Sequence, residues 1–140
     1  MLNNDFCPKI GEVYQIYFNG YGSVQKGLRP GIIIQNNIGN RYSPNVIAIP
    51  LTSAIKNLNQ PTHVFLSSKE TGLKLDSIAL CENPETVSKE MVGKYITTIP
   101  LNLMNGIAIS IMQSIPVISF LNYDEMTDIW SKTSRNSACI

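Results

Sequence analysis

The stretch GLRPGIIIQ, residues 27–35, decides the fold, because loop-forming residues give way to strand-forming residues within it. Its three consecutive isoleucines predict a strand over residues 31–35 that is buried on both faces. The preceding residues 19–30 contain three glycines and Pro30, which together predict a long loop. Arg29 is therefore expected where a loop meets a buried strand, so that its backbone is held while its side chain can reach a ligand.

Further short strands are predicted throughout the N-terminal two-thirds of the chain. Runs of β-branched and aromatic residues favour strands, and they recur at residues 12–18, 45–49, 62–66, 76–81 and 94–99. Between them, the polar residues 36–44 predict a turn region, and residues 51–58 predict helical turns or a loop. Short strands separated by turn signals are typical of a small antiparallel barrel or sandwich.

The last third of the chain predicts helices instead of strands. Apolar residues recur there at helical spacing, at Leu103, Met104, Ile107, Ala108, Ile111 and Ile115. This pattern predicts a helix from near Asn102 to just before Pro116, whose apolar face closes the core against the sheet. A second short helix is predicted from residue 123 to about residue 132, with Asn122 and Glu125 as a capping box.

Length and charge limit the classes of protein that this chain can be. Its 140 residues predict a single domain. The 11 basic and 10 acidic side chains leave a net charge of +1, which argues against a strongly basic protein that coats duplex DNA. The N-terminal residues lack the pattern of a signal peptide, and no apolar run reaches the ~18 residues that a membrane helix needs.

The single histidine and the three cysteines exclude further classes. His63 alone cannot supply the histidine pair of the familiar acid–base ribonucleases. Cys7, Cys81 and Cys139 are too far apart in sequence for a CxxC metal or redox site. Their odd number argues against a disulfide framework and favours a reducing cytoplasm.

Two segments carry side chains that suit phosphate chemistry. The guanidinium of Arg29 offers forked donors that match phosphate oxygens; alternatively, Arg29 pins the loop to a nearby carboxylate. Thr52 and Ser53 follow Pro50 at the end of a predicted strand, where their hydroxyls either bond a phosphate or cap the following turn. Composition and spacing leave both alternatives open in each case.

Two further segments place polar side chains in or after predicted strands. His63 lies inside a strand and is either an acid–base group or the partner in a structural hydrogen bond. Glu82 and Asn83 follow another strand, where they either read base edges or form a solvated turn. The apolar stripe over residues 103–115 indicates a core or an interface rather than a cofactor site.

Taken in order, these segments resemble the MazF/PemK family of toxin ribonucleases from bacterial toxin–antitoxin modules. The resemblance rests on GEVY at 11–14, GSVQKGLRP at 22–30, IIIQN at 32–36, NRYSP at 40–44, the Thr52-Ser53 pair, PTHV at 61–64 and LDSI at 75–78. It covers about residues 9–115 and needs no large gap. Residues 116–140 extend beyond this core, within what the resemblance implies to be one toxin domain over residues 1–140.

The resemblance implies a mainly β fold: a small SH3-like barrel of antiparallel strands of the CcdB/MazF/PemK type, with a C-terminal helix and a short helical extension. It implies a cytoplasmic, homodimeric toxin of a type II system, neutralised by an acidic, partly disordered antitoxin. The implied activity is sequence-specific cleavage of single-stranded RNA without a metal ion or other cofactor. Arg29 and Thr52 match the family's catalytic pair. The family's RNA-contacting positions match Ser23, Gln25, Ser53, Glu82 and Asn83.

The residues that match the catalytic pair suit this chemistry. In metal-free RNA cleavage the 2′-hydroxyl attacks the adjacent phosphate, and negative charge gathers on the phosphoryl oxygens in the transition state. A guanidinium such as Arg29 stabilises that charge, and a hydroxyl such as Thr52 orients the group. Because arginine stays protonated, it is a poor general base. Proton transfer then involves a perturbed Arg29, a carboxylate such as Glu82, or water.

The chain departs from the family pattern at two positions. Val24 replaces a glutamate of many members, and Glu85 replaces the usual arginine, which reverses a charge near the expected RNA path. The RNA motif that the protein cleaves is therefore open.

Two alternative functions remain. One is a protein-binding toxin on the same barrel, like the gyrase-directed relatives with a C-terminal tryptophan, for which Trp130 is the candidate. The other is a catalytically weak RNA-binding relative.

Overall fold

The computed structural model describes residues 6–20 and 27–132. In this part of the chain, strands dominate up to residue 98 and helices follow. The elements are, in chain order, β1 (Glu12–Phe18), β2 (Gly27–Ile33), α1 (Asn37–Tyr42), β3 (Asn45–Thr52), β4 (His63–Leu66), α2 (Ser68–Thr71), β5 (Ser77–Leu80), β6 (Glu85–Ser88), β7 (Val92–Thr98), α3 (Leu101–Ser114) and α4 (Tyr123–Lys132). Short 3-10 turns at Lys89–Met91 and Pro116–Phe120 precede β7 and α4.

The strands form one seven-stranded antiparallel sheet within the described residues. The order is β4-β5-β3-β2-β1-β7, and β6 also pairs with β3. The long strand β3 holds β2 along one edge and both β5 and β6 along the other. The predicted mainly β fold with a C-terminal helix and a helical extension is confirmed. Its path of strand pairing is open, since no pairing among the described strands joins β4 to β7.

Apolar side chains cover the sheet on both faces. Neighbouring residues of β1 and β2 alternate between two buried clusters, with Val13 and Ile32 in one cluster and Tyr14 and Ile33 in the other. Helix α3 contributes the fully buried Ile107 to the first cluster. The central strands are therefore buried on both faces, as the isoleucine run predicts.

Gly31 lets large side chains of β1 pack directly onto β2. A Cβ atom at this position would lie 2.7 Å from Cζ of Phe18 and 2.9 Å from Cδ1 of Ile16, which is closer than such atoms pack. Phe18 and Ile16 are both fully buried. The glycine before the isoleucine run is thus a packing requirement of the core, in addition to any role in a turn.

The strand that contains Arg29 begins earlier than the sequence predicts. β2 starts at Gly27 rather than at residue 31, so Arg29 lies within the strand and not at the end of a loop. Leu28, Arg29 and Pro30 already pair with β1, opposite residues 15–17. The prediction was wrong because glycine and proline signal loops in isolation, whereas here long-range pairing with β1 decides the conformation.

Residues 37–42 form helix α1, where a polar turn region was predicted. The side chain of Asn36 caps this helix by accepting a hydrogen bond of 2.8 Å from the Gly39 amide. Asn37 is buried, and its side-chain oxygen accepts from the Ile10 amide at 2.8 Å. Asn37 therefore satisfies a backbone group inside the fold, while the exposed Asn36 caps the helix at the surface.

Strand β6 is absent from the sequence prediction, and it contains Glu85. It forms by pairing with the first half of β3, with Glu85 opposite Ala48.

The two predicted helices are confirmed as α3 and α4. Helix α3 begins one residue before the predicted start, and α4 begins at the predicted residue. Asn122 caps α4 by accepting from the Asp124 amide at 2.9 Å.

The cysteines give a mixed result. Cys81 is a buried free thiol, and burial raises its pKa to about 12, so it is inert at neutral pH. Cys7 is disulfide-bonded, which contradicts the expectation, drawn from the odd cysteine count, that the cysteines form no disulfide framework.

Among the described helices, none has the length and apolar character needed to cross a bilayer.

Candidate active site

A cavity of about 690 Å³ opens where β1, β2, β3, β7 and the segment before β5 meet. Its wall is mostly apolar, with residues such as Leu28, Leu51 and Leu75. The polar side chains of the described lining are Gln15, Arg29, Thr52, Ser53, Lys74, Ser77, Lys94 and Tyr95. An apolar cavity with a few convergent polar groups is the usual form of a ligand site.

Strand register brings Arg29 and Thr52 together at this cavity. β2 and β3 are antiparallel with Gly31 opposite Pro50. The pairing of β2 with β3 ends at this pair, and Thr52 pairs with Ile78 of β5. Counting two residues further along each strand brings Arg29 level with Thr52, and both line the cavity. On its other edge β2 pairs with β1, where Arg29 is opposite Ile16. Strand β2 therefore lies between β1 and β3. The predicted catalytic pair therefore lines one cavity on a rigid backbone.

Thr52 has one hydrogen bond within the protein and can make another. Its hydroxyl oxygen accepts from the Ala54 amide at 3.1 Å, so the expected turn cap is present. A hydroxyl group both accepts and donates, and its proton can still be donated to a ligand. Ser53, the next residue, is exposed and also lines the cavity.

The charged side chains in the described cavity lining are all basic: Arg29, Lys74 and Lys94. No acidic side chain lies among these lining residues. Like charges around one concave wall raise the local potential even when the net charge of the whole chain is only +1. The cavity therefore suits an anionic ligand.

Glu82 and His63 form a separate pair outside the described cavity lining. Nε2 of His63 lies 3.2 Å from Oε1 of Glu82, and the two side chains are 10% and 29% exposed. An ionised carboxylate only accepts hydrogen bonds, so the histidine donates through Nε2. The structural hydrogen bond considered for His63 is confirmed. The remaining polar atoms of the pair, His63 Nδ1 and Glu82 Oε2, are buried and have no hydrogen-bond partner in the described structure.

The other predicted RNA-binding positions are not all brought to the cavity. Asn83 follows Glu82 in a turn, where its backbone N–H donates to the Leu80 carbonyl at 3.0 Å. Asn83 does not line the cavity. Ser23 and Gln25 lie outside the described residues, so their contact with RNA stays a prediction. Of the five predicted positions, only Ser53 is placed in the cavity by the described structure.

Five polar residues of the described cavity lining were missed from the sequence: Gln15, Lys74, Ser77, Lys94 and Tyr95. Gln15 interrupts the apolar run EVYQIYF at a position that alternation assigns to the face shared with Val13. This alternation was a usable signal. The other four had none, because they reach the cavity only through the long-range packing of β7 and of residues 73–77. In the described residues no group of three His, Cys, Asp or Glu side chains could hold a metal ion.

The fold and site together define a small antiparallel-sheet protein whose cationic, hydroxyl-bearing cavity suits a phosphodiester substrate. The family model described as "PemK-like, MazF-like toxin of type II toxin-antitoxin system" matches residues 9–115. The chain belongs to this family.

Individual relatives agree with this assignment. Over 99 residues the chain is 36% identical to Endoribonuclease EndoA of Bacillus subtilis (strain 168), covering 71% of this chain and 85% of the relative. A solved endoribonuclease in complex with its cognate antitoxin from a mycobacterial species is 28% identical, with a TM-score of 0.63 over 79% of this chain and 96% of that one. MazF from Deinococcus radiodurans shares the fold, with a TM-score of 0.70 at 17% identity, covering 79% and 98%.

Proposed function

We propose that this toxin is an endoribonuclease that cleaves single-stranded RNA at short sequence motifs without a metal ion. The observation that carries this proposal is that Arg29 and Thr52 line one cavity whose described charged side chains are all basic. The similarity to a protein named as an endoribonuclease, at 36% identity, supports the same activity.

Arg29 and Thr52 have distinct roles in this reaction. The 2′-hydroxyl oxygen attacks the adjacent phosphorus and the bond to the 5′-oxygen breaks, which leaves a 2′,3′-cyclic phosphate and a 5′-hydroxyl. Two N–H groups of Arg29 donate to the phosphoryl oxygens as their charge grows, and the Thr52 hydroxyl donates a third hydrogen bond. Donors held on paired strands need little reorganisation during the reaction.

Proton transfer needs an acceptor for the 2′-hydroxyl proton and a donor for the leaving 5′-oxygen. Glu82, the carboxylate considered for this role, is bonded to His63 outside the described cavity lining. Water and the Arg29 guanidinium are the remaining groups among those that the sequence suggests. We assign both transfers to water, which accepts the 2′-hydroxyl proton and donates one to the leaving 5′-oxygen, while the Arg29 guanidinium stays protonated and donates hydrogen bonds to the phosphoryl oxygens.

Lys74 and Lys94 extend the phosphate-binding surface beyond the scissile group. Both are exposed at the cavity and lie on different segments from Arg29. Lysines that contact phosphates position a nucleic acid without reading its sequence. These side chains bind the phosphates next to the one that is cleaved, while Ser23, Gln25, Ser53, Glu82 and Asn83 remain our candidates for further RNA contacts.

The cavity and the exposed apolar side chains of the protein also indicate its protein partners. An acidic, partly disordered antitoxin suits the cationic cavity, and the solved mycobacterial relative is in complex with its cognate antitoxin. A homodimer is supported by the exposed apolar side chains of Ile109 and Met112 on α3 and of Ile115 directly after it. A cytoplasmic location rests on the proposed RNA substrate alone, because the Cys7 disulfide gives no support to a reducing compartment.

The test is cleavage of a long RNA of mixed sequence by the purified protein in EDTA, with the 5′ ends of the fragments mapped by sequencing. We expect ends that share a short motif, and no fragments with the Arg29→Ala variant. An RNA that stays intact with folded protein would overturn the proposal.

One observation favours a second candidate, a toxin that acts by binding a protein. Helix α4 has no buried residue, and Trp130 on it is 72% exposed. Exposed aromatic residues are frequent anchors at protein interfaces. Growth arrest that survives Arg29→Ala and is abolished by Trp130→Ala would select this function over RNA cleavage.

A further inference from the structure

Gln15 is held in the cavity wall by both neighbouring strands. On one side it is opposite Pro30 of β2. On the other side, β7 approaches so closely at Gly93 that a Cβ atom there would lie 3.1 Å from the Gln15 carbonyl oxygen. Because the backbone is held in the middle of the sheet, the side chain starts from a fixed point in the cavity lining that also contains Arg29 and Lys94.

The amide of Gln15 has an unused hydrogen-bonding group. Its Oε1 atom is buried and has no hydrogen-bond partner in the described structure. Buried polar atoms in folded proteins are nearly always bonded, so an exception calls for an explanation such as a missing ligand. A half-turn about the Cγ–Cδ bond exchanges the oxygen and the nitrogen, so either atom can face a ligand.

The chemistry of the amide differs from that of the rest of the wall. Among the described lining residues, Gln15 is the only one whose side chain carries an N–H donor and a carbonyl acceptor in one plane. Arginine and lysine donate only and bind any phosphate. A phosphate cannot satisfy Oε1, because both groups are acceptors. A nucleobase can, because its edges present donors beside acceptors.

We propose that Gln15 bonds the edge of one unpaired base of the RNA and thereby helps to select the cleavage motif. This inference rests on the proposed function and adds a specificity-determining residue to it. The basic residues hold the backbone of the substrate, and Gln15 distinguishes the base that enters beside it. A leucine at this position keeps the size of the side chain and removes both hydrogen-bonding groups.

The test uses a pool of random-sequence RNA, with cleavage ends sequenced for the wild type, Gln15→Leu and Gln15→Glu. With Gln15→Leu we expect cleavage to continue and selection at one position of the motif to weaken by about tenfold, which is within the range for a lost bidentate base contact. With Gln15→Glu, which only accepts, the preference at that position shifts toward bases that carry an amino group.

A matched control separates this role from a general effect. Gln60 is exposed and lies outside the cavity, so Gln60→Leu should leave the motif unchanged. An unchanged motif in both Gln15 variants, with an active wild type, overturns the inference and leaves the proposed function intact. A wild type that cleaves no RNA overturns both. Should Gln15→Leu melt at a much lower temperature, Gln15→Met replaces it, with the same expected loss of selection.

Discussion

The cavity around Arg29 and the His63–Glu82 pair look alike in the sequence but differ in the structure. Both consist of polar residues near the ends of strands. The cavity gathers basic side chains and hydroxyls around an open space. The pair instead joins a carboxylate to a histidine that is only 10% exposed, and both lie outside the cavity lining. The polar residues thus line an open cavity in one region and bond to each other in the other.

Charge explains why the two regions are suited to different tasks. Basic groups around a concave wall attract a phosphodiester, and they have no acidic neighbour in the described lining to neutralise them. In the pair, the histidine already donates to the carboxylate. We therefore expect substitutions in the cavity to change catalysis, and substitutions in the pair to change stability.

Removal of Arg29 should have the largest effect on catalysis. Arg29→Ala takes away the donors that stabilise the phosphoryl oxygens, and loss of one such group costs on the order of 10²–10³-fold in kcat. The rate is measured under single-turnover conditions with a short RNA that contains the mapped motif. Arg41→Ala is the control, because Arg41 is exposed on α1 and does not line the cavity. An equal loss with both variants would contradict a specific role for Arg29.

Removal of the Thr52 hydroxyl should have the next largest effect on the rate of cleavage. Thr52→Val keeps the shape of the side chain and removes the hydroxyl, so we expect about a tenfold slower cleavage step, the equivalent of one hydrogen bond of about 1.4 kcal/mol. Thr52→Ser retains the hydroxyl and should retain most of the rate. If the valine variant matches the wild type, the Thr52 hydroxyl has no part in the reaction.

Lys94 should affect binding more than chemistry. Lys94→Ala removes one phosphate contact, so the slope of log affinity against log salt should decrease by about 0.7, the value for single strands. The affinity is measured by fluorescence anisotropy at several salt concentrations, with Arg29→Ala as the background to prevent cleavage. Lys9→Ala serves as the control, since Lys9 is exposed and outside the cavity. An unchanged slope would remove Lys94 from the RNA path.

His63 should affect stability and leave the rate almost unchanged. His63→Leu deprives the partly buried Glu82 carboxylate of its donor, which we expect to lower the free energy of unfolding by about 1–3 kcal/mol. Urea unfolding measures this loss, and His63→Gln, which keeps a donor, should recover part of it. The kcat of folded His63→Leu should stay within about twofold of the wild type, since tenfold corresponds to 1.4 kcal/mol of barrier. A tenfold loss would place the pair in the active site.

The sequence predicts those parts of the fold that depend on local pattern. The alternation in β1 and the helical spacing in α3 are visible within a few residues, and both elements are confirmed. β6 and the first half of β2 were missed because they are strands only through pairing with β3 and β1. Glycine, proline and a short length hide such strands from a reading of local propensity.

The residues of the candidate site also divide into those found from the sequence and those that only the folded chain brings to the cavity. Arg29 and Thr52 were found by resemblance, and the register of β2 and β3 explains why they belong together. Lys94 was not found, because it reaches the cavity only where β7 returns to pair with β1, whereas Gln15 was overlooked although the alternation of β1 marks it. Glu82 shows the converse case, in which a residue in a matching motif is bonded to His63 away from the cavity.

The central claim is that the cavity supports attack by the 2′-hydroxyl on the adjacent phosphate, stabilised by Arg29. The most direct test is a short RNA with the mapped motif and a single 2′-deoxy nucleotide at the attacking position, incubated in EDTA and analysed by mass spectrometry. We predict that the all-ribose RNA yields a 2′,3′-cyclic phosphate and a 5′-hydroxyl, and that the deoxy substrate stays intact. Cleavage of the deoxy substrate, or fragments with a 3′-hydroxyl and a 5′-phosphate, would contradict the claim.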